Sequence, residues 1–136
     1  MVNIENMVIT ELKQQLLTAY PNLKLSRPYD VSTEKHITLP LVTIECSDNA
    51  EDNDTFDGVE NYSSMTFELE VYTDGNNRKE LNNRITLDID RIMSNYFGMK
   101  RTACSPLPNV ANNNVYRKVM LYDCLVNNQT LKIYRR

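Results

Sequence analysis

Six carboxylates crowd into the stretch SDNAEDNDTFDGVENY, residues Ser47–Tyr62: Asp48, Glu51, Asp52, Asp54, Asp57 and Glu60, with a lone Phe56 among them. Side chains that offer only oxygen ligands at this density raise the question of calcium. A helix–loop–helix calcium site needs oxygen ligands at loop positions one, three and five, glycine at six and a bidentate glutamate at twelve. Setting Gly58 at position six puts Asn53, Thr55 and Asp57 at the first three ligand positions, but Ser64 falls at twelve. Starting at Asp52 instead puts Phe56 at position five and Asp57 where glycine is required. Both frames fail, so no metal site is expected. The stretch reads as a solvated segment or as a surface for a partner.

The other reactive side chains are no better organised for catalysis. His36 is the sole histidine, and its neighbours Glu34 and Lys35 are polar and solvating. A Cys104–His36 nucleophile–base pair has no supporting residues around it. Glu68 and Glu70 share one face of a strand and have the chemistry of an acid–base pair, but that alternation equally describes the wet side of a sheet. Cys46, Cys104 and Cys124 are odd in number and contain no C-x-x-C pair, which argues against a disulfide framework and against zinc held with His36. Each reads as a small hydrophobe in a reducing compartment. No G-x-G-x-x-G, P-loop or G-x-S-x-G occurs, and three glycines in the whole chain leave little for a phosphate cradle. No catalytic residue and no cofactor is therefore expected.

The elements that would position these residues follow from periodicity. At 136 residues the chain suits one domain with its own core. Ile4, Val8, Leu12, Leu16 and Tyr20 predict a helix over residues 4–20, with Met7 and Ala19 beside the stripe, Asn3 as cap and Pro21 as stop. Leu23 and Leu25 fit a short edge strand, and residues 29–40 a loop. Leu41–Cys46 and Ser63–Tyr72 read as strands, the second with Met65, Phe67, Leu69 and Val71 alternating against Thr66, Glu68, Glu70 and Tyr72. The acidic stretch is then the long tip of a hairpin. Asp74-Gly75 turns into a helix over 77–97 with the stripe Leu81, Ile85, Ile89, Ile92 and Tyr96, widened by Met93 and Phe97 and stopped at Gly98. Arg78, Lys79, Arg84 and Arg91 lie off that stripe. A short strand is predicted at Lys100–Cys104 and an irregular connection at 105–114. Val115–Val126 is apolar on both faces and is expected to be a central strand covered on both sides. A turn at Asn127–Gln129 and a return over Thr130–Tyr134 close the chain. The fold class is α+β: a single domain, 1–136, with a mainly antiparallel or mixed sheet packed against two helices.

Glu5 and Glu11 interrupt the first apolar residues, so no leader peptide is expected, and no apolar run is long enough to span a bilayer. The net charge of −3 conceals an asymmetry. Residues 1–75 carry fourteen acidic and four basic side chains, a net −10; residues 76–136 carry four acidic and eleven basic, a net +7. Such a split has three readings: internal neutralisation, a basic surface for nucleic acid, or two unlike patches that join copies head to tail. The order of elements matches no common nucleic-acid reading motif.

Several passages, namely FELEVYTDGNN, a helix ending in NYFGMKRT, CSPLPN, VYRKVMLYD and a terminal IYRR, resemble the tail terminator (neck or tail-completion) proteins of long-tailed bacteriophages and prophages. The matching wording lies within residues 65–136. The resemblance implies a structural virion protein and no enzyme. It would form a homo-oligomeric ring, expected to be a hexamer, on the last ring of the tail tube protein. It would end tube growth and offer a docking surface to the head–tail connector protein, while double-stranded DNA passes through the lumen without specific binding. Interface candidates are the six acids with Phe56, and Arg78, Lys79, Arg84 and Arg91. A connector on the portal side and a cytosolic binding module unrelated to phage stand as alternatives.

Overall fold

The computed structural model describes residues 3–28, 39–52, 62–107 and 114–135. Helix α1 spans Glu5–Ala19. Its N-cap is Ile4, one residue beyond the expected Asn3, whose Oδ1 nonetheless accepts the Glu5 amide at 2.8 Å, and Pro21 lies just beyond its end. Val8, Leu12 and Leu16 are buried as the stripe predicts, whereas Met7 and Ala19 are exposed and do not widen it. Helix α2 spans Arg78–Asp90 and runs on into a π-helical turn, Arg91–Tyr96. Gly98 ends it with φ of 74°, a left-handed conformation that favours glycine.

The strands are β1 (Lys24–Ser26), β2 (Leu41–Asp52), β3 (Tyr62–Thr73), β4 (Lys100–Leu107), β5 (Tyr116–Asn127) and β6 (Ile133–Arg135). They form one mixed sheet in the order β1-β2-β3-β5-β4, with β6 also pairing β5. Only β1–β2 is parallel; every other pair is antiparallel. The chain is thus an α+β domain built on a single sheet and two helices.

Both helices lie on one side of the sheet, α1 over β2 and α2 over β3 and β5. The core between them holds Val42 and Ile44 of β2, Met65, Phe67, Leu69 and Val71 of β3, and Met120, Tyr122, Cys124 and Val126 of β5, against Leu12, Leu16, Ile85, Ile89 and Met93 of the helices. Removing such side chains from water stabilises by roughly 1.5–3 kcal/mol each. Asn82 is buried within this layer and stitches it together: its Nδ2 donates to the Val71 carbonyl at 2.9 Å and to the Tyr116 carbonyl at 3.2 Å. Those two bonds offset part of the cost of burying its amide, whose Oδ1 is buried without a hydrogen-bond partner among the described residues.

Five further expectations change. Strand β5 is central, but its burial alternates, and Val119, Leu121 and Leu125 are only half-buried, because no described element packs on that side. The acidic stretch is not all loop: Ser47–Asp52 continue β2, which bulges between Cys46 and Asp48 and pairs with β3 out to Asp52–Tyr62. Ladder hydrogen bonds to β3 hold these polar residues in a strand. Strand β4 extends past Cys104 through Pro106 to Leu107, as an edge position allows for proline. Finally, Tyr96 is 61% exposed while Phe97 is buried. In the π-helical turn the Phe97 amide donates to the Ile92 carbonyl five residues back, at 3.0 Å. That extra residue per turn rotates Tyr96 outward and Phe97 into the core. The turn after β5 is also longer than expected, with the Asn127 side chain accepting from the amides of Gln129 and Thr130.

Candidate functional site

The charge split along the chain becomes a split in space. Residues 1–75 supply α1 and the strands β1, β2 and β3, and residues 76–136 supply α2, β5, β4 and β6. Because the sheet order is β1-β2-β3-β5-β4, the two halves meet at the β3–β5 pair, and each ends at its own edge of the sheet. One edge is acidic. Glu45 and Asp48 of β2 are exposed, and Glu51 and Asp52 are its last two residues. The opposite edge begins with Lys100 and Arg101 of β4, both exposed. Arg101 reaches back to Asp90 at 3.1 Å.

The uncovered face of the sheet is a second surface. On β3 it presents Ser64, Thr66, Glu68, Glu70 and Tyr72, and on β5 Arg117, Val119, Leu121, Asp123 and Leu125. Glu70 is fully engaged: it accepts from both Arg117 and the Tyr72 hydroxyl. Partial burial, reinforced by the Glu70 carboxylate, pushes the Tyr72 phenol up to about 12, and the same carboxylate raises Arg117. Glu68 stands directly opposite Glu45 in the ladder, and among the described residues neither makes an ion pair. Glu68 and Glu70 therefore do not face one substrate position as an acid–base pair: one is tied in a salt bridge and the other is set against a third carboxylate.

The cleft between α2 and β4, about 370 Å³, is lined in part by Asn83, Asp90, Arg101, Cys104 and Lys118. Its polar groups hold one another. Asp90 accepts from the Tyr122 hydroxyl at 2.7 Å and the Ser94 hydroxyl at 3.0 Å in addition to Arg101. Lys118 donates to Asn83 at 2.7 Å. Burial, then the bond to Asp90, raises the Tyr122 phenol well above its ordinary value. Cys104 is exposed, and its suggested partner His36 lies outside the described residues. Burial pushes the Cys124 thiol up to about 12 and raises that of the half-buried Cys46, so neither is a ready thiolate. Among the described residues no group of three or more His, Cys, Asp or Glu is placed to hold a metal ion.

The remaining interface candidates scatter. Asp54, Phe56, Asp57 and Glu60 lie outside the described residues. Arg78 is half-buried and donates to the Gly75 carbonyl at 3.1 Å. Arg91 pairs with Asp88 at 3.7 Å, a loose exposed contact worth ~0–1 kcal/mol. Lys79 and Arg84 are exposed on α2. Sequence reasoning missed Glu45, Lys100 and Arg101. The signal for the last two was present: adjacent bases opening a strand that also contains Pro106 are the marks of a sheet edge. No described helix is long and apolar enough to cross a membrane. Compared with protein-family models the chain matches none, and compared with curated proteins it likewise matches none.

Proposed function

We propose that this chain is a non-catalytic virion protein that assembles head to tail into a ring, expected to be a hexamer. The ring caps the phage tail tube, ends its polymerisation and forms the surface that joins the tail to the head connector. The observation that carries this reading is the sorting of the acidic and basic halves to opposite edges of one sheet. A closed ring needs a heterologous contact, one patch against a different patch on the neighbour, and a subunit with unlike sides supplies it. The resemblance of residues 65–136 to tail terminators selects the tail tube as the partner among possible assemblies. The uncovered face adds support: Glu45, Glu68 and Asp123 give it carboxylates that repel phosphates, as a lumen passing double-stranded DNA requires, while Glu70 is neutralised there by Arg117.

Deleting the gene is expected to yield heads without tails and tubes of abnormal length in electron micrographs. Tubes of normal length already joined to heads would overturn the reading.

A further inference from the structure

We propose that the cleft between α2 and β4 is the socket for the acidic margin of β2 in the next copy of this chain, with the Asp48 carboxylate seated against the Lys118 ammonium. The inference rests on the chain being a self-assembling subunit and names the surfaces that join.

The socket begins with an unanswered charge. Two cations line the cleft, Arg101 and Lys118. Arg101 has Asp90 at 3.1 Å. Lys118 is half-buried and donates to the neutral Asn83 side-chain oxygen at 2.7 Å, and among the described residues it makes no ion pair. An ammonium carries three donors. Held in a partly desolvated cleft, it favours a carboxylate over an amide as partner. At about 370 Å³ the cleft has room for a carboxylate side chain.

The rim favours a carboxylate that arrives on a protein surface. Leu87 lines the same cleft and is 70% exposed, the most exposed large apolar side chain among the described residues. A free anion on Lys118 would leave Leu87 in water, whereas a docked protein surface covers both. The cleft also opens at the basic margin. Arg101 and Cys104 of β4 pair with the inward-facing Tyr122 and Met120, yet both are exposed, so this strip of the helix side is left bare.

The opposite margin supplies the occupant. Asp48 stands at the bulge of β2, a device that re-aims side chains at sheet margins. Two side chains hold the irregular backbone: the Cys46 thiol donates to the Asp48 carbonyl at 3.2 Å and the Ser47 hydroxyl to the Thr66 carbonyl at 3.3 Å. The Asp48 carboxylate is exposed and makes no ion pair among the described residues. Glu45, also exposed, stands three residues earlier and directly across from Glu68. Like charges set side by side in the free subunit gain most from a cation brought by a neighbour.

The sides are complementary. Asp48 and Glu45 pair with Thr66 and Glu68, which point to the open face, whereas the cleft lies on the helix side. Consecutive subunits therefore overlap like tiles, the open side of β2 in one against the helix side of β4 in the next. One patch meets a different patch, a contact that repeats around a rotation axis. Charge disfavours the like pairings, cleft on cleft or margin on margin.

The test uses the full chain, assembled from a mixture of isotopically light and heavy protein. Carbodiimide joins a carboxylate to an amine only where the two touch. It is expected to give a mixed-isotope Asp48–Lys118 amide in the peptide map. Asp48→Lys and Lys118→Glu are each expected to raise the concentration for half-assembly about tenfold in sedimentation, and the two together to return it to within about twofold of the wild type. Melting of the dilute subunit shows whether each variant folds. Asp48→Lys, at an exposed position outside the cleft, carries the charge test even where Lys118→Glu does not fold. Assembly with neither the cross-link nor the charge effects overturns the contact and leaves the ring reading standing, as does weakening by both single variants without rescue by the pair. Inorganic phosphate that saturably raises the melting temperature of the wild type but not of Lys118→Glu, with no mixed-isotope cross-link, makes the cleft a free-anion site and overturns the contact. A chain that stays monomeric at every concentration overturns the contact, and tube capping then decides the ring reading separately.

Discussion

The two faces of this sheet are made by the same strands and do opposite things. Along β3 the inward residues Met65, Phe67, Leu69 and Val71 are fully buried, while Thr66, Glu68, Glu70 and Tyr72, one position over, are half-exposed. On β5 Met120, Tyr122, Cys124 and Val126 face the helices, while Val119, Leu121 and Leu125 face outward. The period of two places stability on one face and leaves the other free to carry charge. An outward surface that mixes half-buried aliphatic side chains with carboxylates is a poor place for a core and a suitable one for contact with a large polar object.

The sharpest way to break the comparison is to truncate both faces. Phe67→Ala is expected to cost about 3–5 kcal/mol, from lost transfer energy and the cavity left between sheet and helices. Leu121→Ala, on the other face, is expected to cost under about 1.5 kcal/mol, because its side chain is only half-buried and leaves no enclosed void. Urea unfolding at equilibrium measures both. Similar losses would mean that the outward face is covered after all.

Two phenols sharpen the same contrast. Tyr122 donates to Asp90 beneath α2, and Tyr72 donates to Glu70 on the open face. Tyr122→Phe is expected to cost roughly 1.5–3 kcal/mol, the range for a buried hydrogen bond to a charged acceptor. Tyr72→Phe should cost less, since Glu70 keeps Arg117. Alkaline pH tests the pair together. The native state raises both phenols above the ordinary value of 10.0, Tyr72 to about 12 and Tyr122 further. A raised phenol keeps its proton in the folded chain where the unfolded chain has lost it. The stability linked to that proton is therefore complete below pH 10 and drains away as pH rises through about 12. Melting temperatures across pH 9–12 should fall more steeply for the wild type than for Tyr72→Phe, and more steeply still than for Tyr122→Phe. Parallel curves would sever the proposed link between these protons and folding.

Much of the covered face was legible in the sequence. The apolar alternation of β3 and the four-residue spacing of Val8, Leu12 and Leu16 follow from burial against one partner layer, and hydrophobicity reports burial. Tyr96 and Phe97 exchange roles because a π-helical turn changes the residues per turn, and nothing in RIMSNYF marks that turn. The outer face of β5 looked buried because Val119, Leu121 and Leu125 are apolar; whether a layer covers them depends on where the chain returns, which is not local information. The acidic end of β2 was hidden for the converse reason. Its residues are held by ladder bonds to β3, and those bonds carry no signature in side-chain type. The charge split was plain from counting, but only the strand order, with the two halves on either side of the β3–β5 pair, turns a statement about sequence halves into one about two edges.

The smallest effect expected bears on what the open face is for. Glu45 and Glu68 are directly opposed on β2 and β3, and like charges at that spacing are destabilising. Glu70, one row away, has Arg117 and Tyr72 to offset it; these two have no ion pair among the described residues. Glu68→Gln removes the repulsion while keeping shape and hydrogen-bonding capacity. It is expected to stabilise the subunit by about 0.5 kcal/mol, a rise of roughly 2 °C in melting temperature for a chain of this size. The gain should shrink in high salt, where exposed charges are screened. A core residue exchanged for its polar isostere would do the reverse at every salt concentration. If Glu68→Gln instead lowers the melting temperature in dilute buffer, the carboxylate serves the fold, and the division of labour between the two faces fails at its most exposed row.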